Sequence, residues 1–201
     1  MIAYSQRDNR WRAAKLGTGS LTIGQAGCLL TCASSVLSAF GTDLKPFALN
    51  AELIARQGFY QGNLLIFAAL RAWDAAPTSI VDCRKVPAPI DLITAARGKG
   101  DQVIVMVDFG PGGEVQPHWV CVVDPEVTVV MDPWQLPGGE FVSLARYLAP
   151  GWDAARGILR VVIYSRRQAA PTRFLGAEVV EGMEHQDTVH LRRRTAVLDS
   201  R

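Results

Sequence analysis

The hydrophobic pattern of this chain changes near Pro77, and the change limits the folds that are open to it. Upstream, apolar residues recur at helical spacing; downstream, they form short runs rich in β-branched residues. The predicted helices are 28–40, 46–57, 64–73 and 90–97, and the predicted strands are 79–86, 102–107, 118–123, 127–131 and 158–164. Helices followed by strands are typical of an α+β fold, with N-terminal helices packed on an antiparallel sheet.

The bulk composition is that of a globular domain. The chain has 201 residues, of which 49% are hydrophobic and 20% are charged, which is enough for one sizeable core. Its net charge of +2 gives no basis for nucleic-acid binding, and no apolar run is long enough for a membrane span. The N-terminus shows no signal-peptide pattern. We therefore expect neither a nucleic-acid partner nor a membrane span.

Cys28 is the residue best placed for chemistry. It follows Gly27 at the start of the first predicted helix, which ends before Gly41. A thiol in the first turn of a helix lies near the positive end of the helix dipole and near unpaired N–H groups, and both favour the thiolate. Because the thiolate is the reactive form, the sequence predicts Cys28 as a nucleophile.

The other three cysteines, Cys32, Cys83 and Cys121, are predicted to be reduced core residues. Cys28 and Cys32 lie one helical turn apart, which is a poor separation for an unstrained disulfide. One alternative is a zinc site, with loosely permissible spacing, built from Cys28, Cys32, His118 and Cys121. It is disfavoured because Cys121 alternates onto the strand face opposite His118. We therefore expect no metal and no other cofactor.

A cysteine nucleophile needs a neighbouring base and a third group that orients the base. His118 opens a predicted strand after the glycine-rich loop 110–113, whereas the other two histidines lie in the polar C-terminal segment. If 124–126 form a three-residue hairpin loop, Asp132 stands directly opposite His118, close enough for a hydrogen bond to the imidazole. The sequence thus predicts His118 as the base and Asp132 as its partner, provided that the hairpin has this register.

A glutamine is predicted to complete the site. Acyl transfer needs hydrogen-bond donors aimed at the developing oxyanion, and a Gln amide beside the Cys28 N–H would supply two. Gln6 and Gln25 are both open to this role, and their positions in the sequence alone do not decide between them.

Four segments, in this order, resemble the peptidase-like family related to bacteriocin-processing, double-glycine-leader peptidases. They are YSQRDNRW at 4–11, TIGQAGCLLTC at 22–32, HWV at 118–120 and DPW at 132–134. The resemblance covers about residues 2–165. It implies a papain-like fold for a domain at 1–165.

The resemblance also assigns roles in a cysteine peptidase. Cys28 is then the nucleophile, His118 the general base and acid, Asp132 the residue that orients it, and Gln6 the oxyanion donor. The implied substrates are short peptides or the peptide cross-links of bacterial peptidoglycan. Because no signal-peptide pattern is seen, we expect the cytoplasm as the location or, by analogy with small members of such families, a phage particle. Transporter-linked members carry Cys-Gly at the nucleophile, whereas this chain has Cys28-Leu29, so their double-glycine specificity is not implied.

Residues 166–201 lie beyond the resemblance and lack a sustained apolar face, so they are predicted to form an extended surface arm. This arm suggests an alternative function, in which a catalytically silent subunit with the same fold is docked into a larger assembly. A third hypothesis is an acyltransferase that uses the same four residues but transfers the acyl group to an amine instead of water.

Overall fold

The computed structural model describes residues 1–135 and 140–166, which form helices and a six-stranded antiparallel sheet. The predicted α+β class is confirmed at this level. Except for Arg166, the predicted C-terminal arm at 166–201 lies outside the described residues.

The described elements follow one another from mostly helical to mostly strand. The helices are α1 (Ile23–Ala26), α2 (Cys28–Ala39), α3 (Pro46–Ala55), α4 (Ile90–Gly98) and α5 (Ala154–Gly157), with 3-10 helices at Phe67–Trp73 and Leu144–Tyr147. The strands are β1 (Phe59–Tyr60), β2 (Leu64–Leu65), β3 (Ala75–Asp82), β4 (Gln102–Asp108), β5 (Pro117–Val122), β6 (Val129–Met131), β7 (Phe141–Ser143) and β8 (Arg160–Arg166).

The main sheet has the strand order β3-β8-β4-β5-β6-β7, and every neighbouring pair is antiparallel. Both faces of its centre are covered, so β4 is buried at almost every position and reads as a continuous apolar run. β5 lies inside the sheet between β4 and β6, and α2 packs against it. This contact brings the start of α2 close to the start of β5.

Two apolar cores lie on opposite faces of the sheet. The first joins α2 and α3 to one set of alternating strand residues, among them Met106, Trp119 and Met131. The second joins α4 and the 3-10 helix at Leu144–Tyr147 to the other set, such as Val120 and Val130. The period of two along each strand accounts for this division.

The predicted helix at 64–73 is wrong in its first turn. Leu64 and Leu65 instead pair with Tyr60 and Phe59 in a short hairpin, and only Phe67–Trp73 is helical, as a 3-10 helix. The chain reverses at Gly62, whose φ of +89° favours glycine. The apolar run is therefore divided between two elements.

Both boundaries of the first predicted strand, 79–86, also move, since the strand in the structure is Ala75–Asp82. β3 begins at Ala75 and runs through Pro77, where the pairing with β8 is irregular between Pro77 and Ser79. Proline is tolerated there because β3 is an edge strand of the sheet. β7 was not predicted, since its three residues carry too little pattern to stand out from a loop.

Candidate active site

The sequence around Cys28 folds into two helices that meet at one glycine. Thr22 and Gln25 form a reciprocal capping box at the start of α1, and Gly27 both ends α1 and precedes α2. A Cβ added at Gly27 would lie 2.4 Å from the Ile23 carbonyl oxygen, so this junction requires glycine. Cys28 is consequently the first residue of a 12-residue helix, where the backbone N–H groups have no partner within the helix.

His118 is held near this helix end by the packing of β5 on α2. Two sulfur hydrogen bonds join the elements one turn further along α2. The Cys32 thiol donates to the Trp119 carbonyl oxygen at 3.3 Å, and the Cys121 thiol donates to the Cys32 carbonyl oxygen at 3.7 Å. Cys32 and Cys121 thus serve as core residues that align β5 with α2.

Asp132 and His118 form a buried pair. His118 Nε2 lies 2.8 Å from Asp132 Oδ1, which also accepts the backbone N–H of Trp134 at 2.9 Å. An imidazole has two nitrogens, and this bond leaves Nδ1 for the Cys28 side chain, which lines the same cavity as His118 and raises its pKa. The structure therefore brings a thiol, an imidazole and a carboxylate into one chain of contacts.

The hairpin that joins His118 to Asp132 differs from the predicted one. Cys121 pairs with Met131 and Val122 with Val130, so the loop is the five residues 124–128 and the register is shifted by two positions. A shift of two keeps every side chain on its original face, whereas a shift of one would reverse it. The His118–Asp132 contact consequently survives as a diagonal contact.

The charges of this pair reinforce each other. Burial lowers the pKa of His118, but the hydrogen bonds and charges of Asp132 and Cys28 outweigh it and raise this pKa to about 9. For Asp132 the effects are reversed in sign. Burial raises the pKa of this carboxyl group, but the contacts with His118, the Trp134 N–H and Tyr147 outweigh burial and hold the pKa below its usual value. Both shifts favour an imidazolium beside a carboxylate.

Aromatic rings enclose the imidazole. The centroid of the Phe109 ring lies 5.0 Å from that of His118 in an edge-on arrangement, and the Tyr147 ring lies at 5.8 Å. The sequence analysis missed both residues. The position of Phe109 directly after β4 and before the glycine-rich loop was a usable signal, whereas Tyr147 reaches the site only through the tertiary fold.

Gln6 lies at the site and is 1% exposed. Its backbone N–H donates to the Pro133 carbonyl oxygen, and its side-chain Nε2 donates to the Gly24 carbonyl oxygen at 3.2 Å. This bond uses one of the two amide hydrogens and leaves the other for a substrate oxygen. The competing residue, Gln25, is exposed, and its Oε1 is occupied by the Thr22 N–H of the capping box.

Two cavities meet at Cys28. One, of about 200 Å³, is lined by three residues of the predicted site, Gln6, Cys28 and His118, and by Gln25, Phe109 and Trp134, among others. The other, of about 60 Å³, is mostly apolar and is lined by residues that include Leu16, Leu29, Leu64 and Trp119. Trp134 therefore lines the larger cavity and Trp119 the smaller one.

The described residues contain no group of three or more His, Cys, Asp or Glu side chains placed to hold a metal ion. Within the same part of the chain, no helix is long and apolar enough to cross a membrane. A scan against protein-family models, a search of curated proteins and a search of solved structures each find no match to this chain.

Proposed function

We propose that this chain is a cysteine peptidase with a papain-like fold, and that Cys28, His118 and Asp132 carry its chemistry. The observation that supports this most strongly is the 2.8 Å bond between His118 and Asp132 beside a thiol at the first residue of α2. A nucleophile, a base and a group that orients the base are the three parts that thiol-dependent acyl transfer requires.

In the proposed reaction, His118 holds the proton of the Cys28 thiol, and the thiolate attacks the carbonyl carbon of a peptide bond. The second Nε2 hydrogen of Gln6 and the backbone N–H of Cys28 donate to the oxyanion that forms. His118 then passes its proton to the leaving amine as the C–N bond breaks. Water, deprotonated by His118, hydrolyses the thioester and restores the thiol.

The cavities favour an extended peptide as substrate. Because two cavities meet at Cys28, a bound chain can place groups on both sides of the bond that is cut. The apolar lining of the smaller cavity suits an aliphatic group, and the amides of Gln25 and Gln116 in the larger one suit a peptide backbone. We propose short peptides, including the peptides of bacterial peptidoglycan, as the substrate class.

Alkylation by iodoacetamide tests the ion pair without knowledge of the substrate. Cys83 is a matched internal control, because it is 7% exposed where Cys28 is 6% exposed and has no histidine partner among the described residues. We expect Cys28 to react rapidly at pH 5 to 6 while Cys83 does not, with site-resolved mass spectrometry as the readout. If the two thiols react at the same rate between pH 4 and 9, the proposed mechanism is wrong.

Product analysis then tests the reaction class. Wild-type protein and Cys28→Ala are incubated with a peptide library and with peptidoglycan peptides, with and without an added primary amine. New free C-terminal carboxylates that depend on Cys28 indicate hydrolysis, whereas amide products formed with the added amine indicate acyl transfer; both reactions release the same new N-terminus. Intact substrates in every incubation would favour the catalytically silent subunit.

A further inference from the structure

Two buried oxygen atoms beside the candidate site have no hydrogen-bond partner within normal geometry. They are Oδ2 of Asp132 and the hydroxyl oxygen of Tyr147. One is a carboxylate acceptor and the other a hydroxyl donor, and an unpaired buried group of either kind is costly. The chemistry of the two atoms is therefore complementary.

The position of Tyr147 is well determined by its neighbours. It ends the 3-10 helix Leu144–Tyr147, which begins with the Ser143 side chain accepting the Ala145 N–H and the Leu144 N–H donating to the Thr128 carbonyl oxygen. Tyr147 is 1% exposed, and its ring lies against that of His118. Its hydroxyl is consequently shielded from solvent at the edge of the second core, where the Asp132 carboxylate acts on it.

We propose that Tyr147 is a positioning residue whose hydroxyl donates a hydrogen bond to Asp132 Oδ2. With Oδ2 held in this way, Oδ1 stays directed at His118 Nε2–H, and Nδ1 of the same ring stays directed at Cys28. Tyr147 does not touch the substrate; it acts through Asp132. The inference rests on the proposed function for its purpose, but the hydrogen bond itself can be tested separately.

The electrostatics agree with this geometry. Burial and the nearby Asp132 raise the pKa of Tyr147, which keeps its hydroxyl protonated as a donor, and the Tyr147 hydroxyl contributes to the lowered pKa of Asp132. The other titratable groups that act on the pair are His118, Arg146 and Cys32.

Tyr147→Phe removes only the hydroxyl, and Tyr164→Phe is a matched control. Tyr164 is also fully buried with a hydroxyl that has no hydrogen-bond partner, but it packs in the first core, away from Asp132. The aspartate carboxyl groups are followed by carbon-13 NMR, with the Asp132 signal assigned from Asp132→Asn. Exchange of the His118 Nε2 proton with water is measured at neutral pH.

In Tyr147→Phe we expect the pKa of Asp132 to rise by about one pH unit and the Nε2 proton to exchange about tenfold faster. Tyr164→Phe should leave both values as in the wild type. The proposal is overturned if Tyr147→Phe leaves both unchanged, or if Tyr164→Phe shifts them equally. A failure of the proposed function has a different signature, namely a wild-type Cys28 that reacts like Cys83 while the Tyr147 effect persists.

A reciprocal measurement covers the case in which Tyr147→Phe does not fold. Because the coupling of two groups is mutual, Asp132→Asn must weaken the hold on the Tyr147 hydroxyl proton, which then exchanges with water faster than in the wild type. The exchange is followed by proton NMR at neutral pH, with Tyr164→Phe used to assign the hydroxyl signals. A Tyr147 hydroxyl proton that exchanges at the same rate in both proteins would overturn the proposal.

Discussion

The regions around Cys28 and Cys83 are alike in burial and differ in what surrounds the sulfur atom. Both thiols are almost completely buried, and both adjoin cavities, of about 200 Å³ beside Cys28 and about 550 Å³ beside Cys83. By size alone, the Cys83 region would be the better binding site. Cavity volume alone therefore does not favour Cys28, and the two regions have to be distinguished by their chemistry.

The difference lies in the neighbouring charges. Cys83 follows the edge strand β3, donates to the Val81 carbonyl oxygen at 3.6 Å, and has its pKa raised by burial and by the adjacent Asp82 carboxylate. Cys28 begins a helix and contacts an imidazole whose pKa is about 9. The environment of Cys83 disfavours a thiolate, whereas an imidazole that can carry a positive charge lies beside Cys28.

Removing each thiol gives the largest contrast. We expect Cys28→Ala to reduce peptide hydrolysis by about 10⁴-fold or more, because no other group can form the thioester. Cys83→Ala should leave the rate within about twofold of the wild type. The measurement is kcat/KM on the best peptide found. Comparable losses in the two variants would contradict the contrast between the two regions.

Removing the base should come next in size. His118→Ala is expected to lower kcat about 10³-fold, since proton transfer to and from the reacting groups is lost. Alkylation of Cys28 at pH 6 should slow in the same variant to the rate of Cys83. If His118→Ala slows hydrolysis but leaves the alkylation of Cys28 fast, His118 does not pair with the thiol.

The two glutamines sharpen the contrast within the site itself. Gln6→Ala should lower kcat about 100-fold, because one of the two oxyanion donors is removed. Gln25→Ala is the comparison: its side chain lines the cavity and caps α1, so we expect KM to rise while kcat stays within about threefold of the wild type. Steady-state kinetics on both variants give the answer, and a larger loss in Gln25→Ala would reverse the assignment.

The smallest expected effect is on stability. The pKa of His118 is about 9 in the folded protein and about 6.5 in an unfolded chain. The protonated imidazole therefore adds its full contribution to the free energy of unfolding below pH 6.5, and this contribution is lost as the pH rises through 9. We expect the free energy of unfolding to fall by about 2 kcal/mol over this range, and His118→Ala to remove that part of the slope. Urea denaturation at pH 6, 7.5 and 9 measures the free energy of unfolding of both proteins. If it depends on pH in the same way in the wild type and in His118→Ala, the pKa of His118 is not raised by folding.

The sequence predicted the face of His118 and Asp132 better than it predicted their register. Side chains alternate between the two faces of a strand, so an error of two residues in the length of the hairpin loop leaves both side chains on the predicted face. The helix at 64–73 failed because a reversal at Gly62 depends on backbone angles that hydrophobic spacing does not reveal. Phe109 and Tyr147 meet His118 only once three separate elements are packed, so no local pattern pointed to Tyr147.

The bond between the Gln6 amide and the Gly24 carbonyl has a mechanical consequence. Residues 22–28 form one rigid segment. The capping box fixes its first turn, and the close contact of Gly27 with the Ile23 carbonyl fixes the backbone at its other end, while Gly24 accepts the bond from Gln6. In the proposed reaction, this segment provides the attacking sulfur and the carbonyl group that holds the Gln6 amide. The imidazole belongs to β5, and its distance from the sulfur depends on how closely α2 packs on the sheet. Looser packing of α2 on the sheet would therefore impair proton transfer to His118 before it impaired stabilisation of the oxyanion.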